Sequence, residues 1–188
     1  MTLRLLSWNV RGLNNPRKRE CDIVCFQETK VSSIDVAFVR SLWGSPFIDW
    51  AVLDAMQSSG GVLLIWDKRV FEKLDVIVGQ FSVSILLRGV VDDFVWACTV
   101  VYGPNDNGQR PLLWEELSQG ASFTWFRDSC LPSMSRIDRA LIFLDWEEHF
   151  ENVSQWVLPH VLSDHYPFCW KLVLFNVVEV PLNLKTCG

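Results

Sequence analysis

Two polar side chains stand where apolar, strand-length runs end. Asn9 lies near the end of the run from Leu3, in SWNVRGL, and Glu28 follows the run from Asp22 to Gln27, in FQETK. Mg²⁺ takes oxygen ligands, usually from one or two carboxylates, and leaves its other positions to water and substrate. If the two strands are neighbours in a sheet, Asn9 and Glu28 predict a magnesium site at one edge of that sheet. Taken singly, each residue is more typical of a loop or cap than of a metal site.

Three further segments carry side chains suited to phosphate chemistry. SDHYP places Asp164 before His165, and a histidine can orient a water or exchange a proton near neutral pH. In VYGPN, Tyr102 and Asn105 lie close together in the chain where a predicted strand ends. SRIDRAL places Asp138 in a strand-like run, where an acid requires a partner, and His165 is suited to that role. Each segment alone is also compatible with a solvated turn.

A serine-hydrolase interpretation of the SDHYP segment is excluded. Ser163, Asp164 and His165 are adjacent in the chain, and successive side chains of an extended segment point apart. They therefore cannot pass a proton from one to the next. The sequence also has no G-x-S-x-G turn that would expose a nucleophilic serine.

The elements that must position these residues are mostly strands. Apolar runs separated by turn residues predict a sheet-rich α/β or α+β chain. Gly79 and the pair Asp92–Asp93 are expected to form turns of a β-meander. Strands are expected at 3–10, 22–27, 50–53, 62–66, 74–78, 81–87, 94–102, 122–126, 136–143, 153–158 and 168–174.

Helices are few and short in this pattern. Ser32 followed by Asp35 predicts the start of a helix that runs to about Trp43. A second helix is expected over 111–117, where proline occupies a favourable first-turn position, and a helical turn is expected over 145–150. The sequence shows no internal repeat or linker, so one domain is expected.

Composition narrows the function classes. The chain has 188 residues, of which 49% are apolar, enough for the core of one globular domain. A net charge of -5 argues against binding nucleic acid mainly by neutralising phosphates, although it allows metal-assisted catalysis on a phosphodiester. No apolar run approaches the ~20 residues that span a bilayer. We therefore expect a soluble, intracellular protein without a membrane partner.

The six cysteines lie in or beside apolar runs and are expected to be small core side chains. A disulfide framework is therefore not expected. Cys21 and Cys25 could be combined with His160 and His165 as a zinc set. Pairs so far apart in the chain do not make a compact finger, and this alternative is disfavoured.

The order of the motifs carries a family resemblance. SWNVRGLN, FQETK, SGGVLLIW, VYGPN, FTW, SRIDRAL and LSDHYP follow one another without interruption from about Leu3 to Trp170. This series closely resembles the apurinic-endonuclease-like domain of plant LINE-type (non-LTR) retrotransposons, within the endonuclease/exonuclease/phosphatase superfamily. The resemblance implies a four-layer sandwich, in which two mixed β-sheets pack face to face with flanking helices.

The resemblance also implies roles for the site residues. Asn9 and Glu28 would hold Mg²⁺ or Mn²⁺, and Tyr102 would contact the scissile phosphate. The same contact is implied for Asn105, while Asp138 would orient His165. Asp164 and His165 would act on the phosphate or the attacking water. By resemblance the partner is DNA, nicked to leave a 3′-hydroxyl, and the site of action is the nucleus; no obligate protein partner is implied.

The sequence departs from the family pattern at two joins. Family members carry a strand ending in G-D-F-N between VYGPN and FTW, but here WEELSQ passes directly to GASFTW. A helix expected between the first two strands is also missing near 19–22. We therefore expect an incomplete domain over 1–174, with deletions near 19–22 and 118–122 and a C-terminal tail over 175–188. Exposed strand edges would favour aggregation.

Three functions follow from these observations. The first is a magnesium-dependent phosphodiesterase or DNA endonuclease, expected to be inactive or nearly so without the G-D-F-N segment. The second is a non-catalytic remnant or interaction module of a decayed retroelement. The third is a phosphomonoesterase of the same superfamily, which the retrotransposon-like spellings SWNVRGLN, SRIDRAL and LSDHYP disfavour. Fold alone does not choose among them.

Overall fold

The computed structural model describes residues 2–10, 21–55, 60–104, 106–118, 149–150, 152–157 and 168–173. Strands far outnumber helices in these ranges. They are β1 (Thr2–Asn9), β2 (Ile23–Gln27), α1 (Val36–Trp43), β3 (Ile48–Leu53), β4 (Val62–Asp67), β5 (Phe71–Val78), β6 (Ser82–Gly89), β7 (Val95–Val101), a 3₁₀ turn (Asn107–Gln109), α2 (Arg110–Ser118), β8 (Asn152–Val157) and β9 (Phe168–Val173).

The described strands form two sheets. The first has the order β3-β4-β2-β1-β9-β8, and the second has the order β5-β6-β7. β1 and β2 are parallel, with Leu5 opposite Ile23 and Asn9 opposite Gln27. The other described pairings are antiparallel, including that of β4 with β2, in which Val62 lies opposite Gln27. The carboxyl ends of β1 and β2 and the start of β4 therefore share one edge.

The main core lies between the two sheets. The first sheet contributes Ile23, Cys25 and Leu64, and the second contributes Ile85 and Trp96, to one buried apolar cluster. Burial of each such aliphatic side chain stabilises the fold by about 1.5–3 kcal/mol. The packing of one sheet on the other brings the ends of their strands together.

The opposite face of the first sheet is covered by α1. Val39, Leu42 and Trp43 are buried, and they belong to a second cluster that includes Leu6 and Ile65. All six residues of β4 are buried, because this strand is covered on both faces. That burial accounts for the uninterrupted apolar run VLLIW, since a strand covered on both faces does not alternate.

The expected starts of α1 and β5 were wrong by three residues, the largest differences among the described elements. α1 is capped by Asp35, whose Oδ1 accepts a hydrogen bond of 2.7 Å from the backbone N–H of Phe38, so Ser32 lies outside the helix. β5 begins at Phe71 rather than at residue 74. A register irregularity between Lys73 and Asp75 breaks the alternation that would have marked its first half.

Some of the other expected turns, strands and helices fall on residues that the structure describes, and some do not. The turns at Gly79 and Asp92–Asp93 are confirmed, and α2 begins at Arg110, one residue before its proline. The strands expected at 122–126 and 136–143 lie outside the described residues, as does most of the helical turn expected over 145–150. Within the described ranges, neither helix has the length and apolar character needed to cross a bilayer.

Candidate metal and phosphate site

Asn9 and Glu28 lie at the same edge of the first sheet. Asn9 ends β1 opposite Gln27 of β2, and the backbone N–H of Val10 donates to the carbonyl of Gln27 at 2.9 Å. Glu28 is the next residue after Gln27, and both candidate ligands are half-buried. The parallel pairing of β1 and β2 thus produces the juxtaposition that the sequence predicted for neighbouring strands.

The backbone around Glu28 has an uncommon conformation. Glu28 has φ 55° and Lys30 has φ 57°, both in the left-handed region that non-glycine residues rarely adopt. Thr29 lies between them and is buried, with its N–H donating to the carbonyl of Gly61 at 3.1 Å. Such conformations persist where surrounding contacts hold them, and they concentrate at functional sites.

Tyr102 reaches this edge from the second sheet. It follows β7, and its backbone N–H donates to the carbonyl of Phe81 at 2.8 Å. A Cβ placed on Gly60 would lie 3.1 Å from Cε1 of the Tyr102 ring, so the ring packs closely on that glycine. The carbonyl of Gly60 in turn accepts from the N–H of Lys30 at 3.0 Å.

We call the edge formed by Asn9, Glu28, Gly60 and Tyr102 the site rim. It combines amide, carboxylate and phenol oxygens on elements of both sheets. This donor set fits Mg²⁺, which accepts one or two carboxylates and retains water or phosphate oxygens elsewhere. Within the described part of the chain, His, Cys, Asp and Glu form no group of three or more that could hold a metal. The described residues therefore do not assemble the three or four Cys, His or carboxylate ligands of a typical zinc site.

Four of the predicted site residues lie outside the described residues: Asn105, Asp138, Asp164 and His165. Their roles remain predictions from the sequence. β8 and β9 flank Asp164 and His165 in the chain, and both strands belong to the first sheet. β9 pairs with β1, which places Phe168 opposite Ser7. β9 therefore begins opposite Ser7, two residues before Asn9 along β1.

Sequence reasoning did not assign a role to the glycine pair before β4. Gly60 and Gly61 have φ 78° and 85°, and a Cβ on Gly61 would lie 2.3 Å from Oγ1 of Thr29. The pair therefore allows the β4 entry to approach both Thr29 and Tyr102. The G-G dipeptide before an apolar run was the available signal, but it did not indicate which side chains would pack against it.

A polar cavity of about 520 Å³ lies at the opposite edge of the first sheet. Its two carboxylates already have donors. Asp67 accepts from the Arg69 guanidinium at 2.6 and 2.9 Å, and Asp22 accepts from the backbone N–H of Arg4 at 2.8 Å. The cavity is therefore balanced in charge and is a weaker cation candidate than the site rim.

Comparison with known proteins defines the class of fold. No family model and no curated protein matches the sequence. Among solved structures, the human Nocturnin catalytic domain with bound sulfate matches with TM-score 0.54 at 13% identity, covering 93% of this chain and 94% of that one. An endonuclease/exonuclease/phosphatase family protein from Bacteroides thetaiotaomicron matches with TM-score 0.50 at 8% identity, covering 94% and 99%.

The AP endonuclease LMAP from Leishmania major also matches, with TM-score 0.42 at 16% identity over 63% of this chain; the chain spans 45% of that protein. Identities this low show the fold alone. The chain therefore has the endonuclease/exonuclease/phosphatase fold, and the α/β sandwich expected from its sequence is confirmed.

Proposed function

We propose that the chain is a magnesium-binding phosphodiesterase-type domain of nuclease descent, and that it nicks DNA slowly or not at all. The observation that supports the proposal is the meeting of Asn9, Glu28 and Tyr102 at the site rim, across two sheets. These residues come from SWNVRGLN, FQETK and VYGPN, the motifs expected to hold metal and phosphate. The fold shared with the Bacteroides protein is compatible with this proposal.

In this proposal Asn9 and Glu28 hold the cation, and Tyr102 contacts a phosphate oxygen. When bound, Mg²⁺ would polarise the phosphoryl group and offset the charge that develops on it. The half-buried Glu28 carboxylate supplies the negative charge that attracts the cation to this edge. Tyr102 and Asn105 would orient the phosphate from the opposite sheet.

The proposed acid–base group lies on the LSDHYP segment. Asp138 orients His165, and Asp164 with His165 acts on the attacking water or on the phosphate. A positioned acid or base of this kind contributes about 10²–10⁴ in rate. Because the chain lacks G-D-F-N, which positions the nucleophile in the family, we expect nicking to fall by at least that factor.

A plasmid-nicking assay tests the catalytic half of the proposal. Supercoiled plasmid is incubated with the full chain and Mg²⁺, beside a variant carrying Asp164→Asn and His165→Ala. We expect both proteins to leave the plasmid at the background rate. Robust magnesium-dependent nicking by the natural chain that the double variant abolishes would overturn the inactive assignment.

Thermal unfolding tests the metal-binding half. A cation that binds only the folded state at 100 times its dissociation constant stabilises it by about 2.7 kcal/mol. We expect Mg²⁺ to raise the melting temperature and Glu28→Gln to abolish that rise. Glu72→Gln is the matched control, because Glu72 pairs with Arg88 at 2.7 Å on the second sheet, away from the site rim. A natural chain that gains no stability from Mg²⁺ would favour the non-catalytic remnant.

The deletions proposed near 19–22 and 118–122 have a test independent of the protein. We expect the genomic DNA at the second join to encode a G-D-F-N segment that the protein has lost by excision. Genomic sequence without such coding DNA would contradict an excision and leave an older decay of the element as the explanation.

A further inference from the structure

The carboxylate of Glu116 on α2 accepts hydrogen bonds from the turn between β5 and β6 and from the first residue of β6. It accepts from the backbone N–H of Gln80 at 2.9 Å and from that of Phe81 at 3.1 and 3.2 Å. The Ser82 hydroxyl donates to Oε1 at 2.5 Å. Hydrogen bonds to an ionised acceptor are shorter and stronger than neutral ones. One side chain therefore fixes the whole turn to α2.

The turn is shaped to receive this carboxylate. A Cβ on Gly79 would clash with the carboxylate of Glu116, so a side chain at this position would displace the carboxylate from its present place. The N–H of Gly79 also donates to the carbonyl of Ser82 at 2.9 Å and closes the turn. Ser82 is buried, and Glu116 is half-buried. The glycine leaves room for the Glu116 carboxylate, and the hydroxyl supplies a further donor to it.

The same turn holds Tyr102. Phe81, which is buried, donates its N–H to Glu116 and accepts at its carbonyl from the N–H of Tyr102 at 2.8 Å. The ring of Tyr102 then packs on Gly60, whose carbonyl binds the N–H of Lys30. A continuous series of contacts thus runs from Glu116 through Phe81 to the site rim.

We propose that Glu116 is a positioning residue that sets the place of Tyr102 at the site rim, and so acts on phosphodiester binding through Tyr102. This inference rests on the proposed function, because it assigns Tyr102 to the phosphate. Glutamine at position 116 would retain the shape, but an NH₂ group would replace one of the two oxygens that accept from the Phe81 N–H. A donor facing donors loses hydrogen bonds that the carboxylate makes.

Fluorine NMR of the full chain labelled with 3-fluorotyrosine tests the position of Tyr102 directly. The sequence contains two tyrosines, Tyr102 and Tyr166, so Tyr102→Phe assigns the spectrum. We expect Glu116→Gln to shift or broaden the Tyr102 resonance. Glu115→Gln, the same charge change on an exposed neighbour of the same helix, should not alter it.

Two milder variants keep the test open should Glu116→Gln fail to fold. Ser82→Ala removes the hydroxyl donor alone, and Gly79→Ala directs a methyl group at the carboxylate. Both should move the Tyr102 resonance in a folded protein. A Tyr102 resonance that stays at its natural position in these variants would overturn the inference, even if their unfolding midpoints fall.

A binding measurement separates this inference from the proposed function. The probe is a short phosphorothioate DNA duplex with Mg²⁺, titrated by fluorescence anisotropy. We expect Glu116→Gln to weaken binding by about tenfold or more, as loss of hydrogen bonds to a charged group does, and Glu115→Gln to leave it unchanged. If the natural chain binds no probe, the proposed function fails. The fluorine spectra alone then test whether Glu116 positions Tyr102. If the probe binds equally to the Glu116→Gln variant, the inference is overturned while the function stands.

Discussion

Gly61→Ala tests the close approach on which the site rim depends. Gly61 is buried at φ 85°, where an L side chain costs about 1–2 kcal/mol. The new methyl group would lie 2.3 Å from Oγ1 of Thr29 and 3.3 Å from Cβ of Ala55, and overpacking of this kind costs about 1–3 kcal/mol. We therefore expect Gly61→Ala to lower the free energy of unfolding by about 2–5 kcal/mol.

Gly44→Ala is the matched control, because Gly44 also has a positive φ, 70°, and a Cβ there would meet nothing within 4 Å. It should lose only the conformational part, about 1–2 kcal/mol. Urea unfolding followed by the fluorescence of the ten tryptophans measures both variants. The Gly61 variant should also lose the stabilisation by Mg²⁺, because displacing Thr29 moves Glu28. Equal losses of stability in the two variants would refute the argument from close approach.

Three further predictions follow from the described contacts. Asp35→Ala should lower the stability by about 1 kcal/mol through loss of the α1 cap, whereas Ser32→Ala should change it little; thermal unfolding measures both. Burial, with the neighbouring Cys169 thiol, raises the pKa of Cys21 from 9.0 to about 12. The folded state keeps this proton to a higher pH than the unfolded chain does, so the free energy of unfolding should fall as the pH rises from 9.0 towards 12. The fall should be less steep in Cys21→Ala. An equally steep pH dependence in that variant would contradict the prediction. β7 is an edge strand of the second sheet as described, and Val95 is exposed on it. Val95→Lys should therefore reduce concentration-dependent light scattering by the protein. Unchanged scattering would exclude association through this edge.

Local patterns in the sequence predicted most of the described elements. VLLIW is short for a helix and follows the turn residues Gly60 and Gly61, which favours a strand, and its lack of polar residues fits a strand covered on both faces. Turn chemistry at Gly79 and Asp92–Asp93 located the meander. The start of α1 was ambiguous, because both Ser32 and Asp35 are good caps, and only the hydrogen bond to Phe38 distinguishes them.

The site was predictable where it depends on strand ends and unpredictable where it depends on packing. Asn9 and Glu28 follow apolar runs, so their meeting required only that β1 and β2 be parallel neighbours. The approach of Tyr102 depends on how one sheet packs on the other, which no local pattern contains. Glu116 carried no signal either, since a glutamate on a short, mostly exposed helix is usually solvated, and its partners lie 34 to 36 residues away in the chain.

Manganese-induced line broadening provides the most direct measurement of whether the site rim binds a divalent cation. Mn²⁺ replaces Mg²⁺ at oxygen sites, and its unpaired electrons broaden resonances close to it. On adding less than one equivalent of Mn²⁺ to the 3-fluorotyrosine-labelled chain, the resonance of Tyr102 should broaden in the natural protein and in Glu72→Gln, and it should remain sharp in Glu28→Gln. A Tyr102 resonance that stays sharp in the natural protein, or one that broadens equally in Glu28→Gln, would contradict a metal site at this rim.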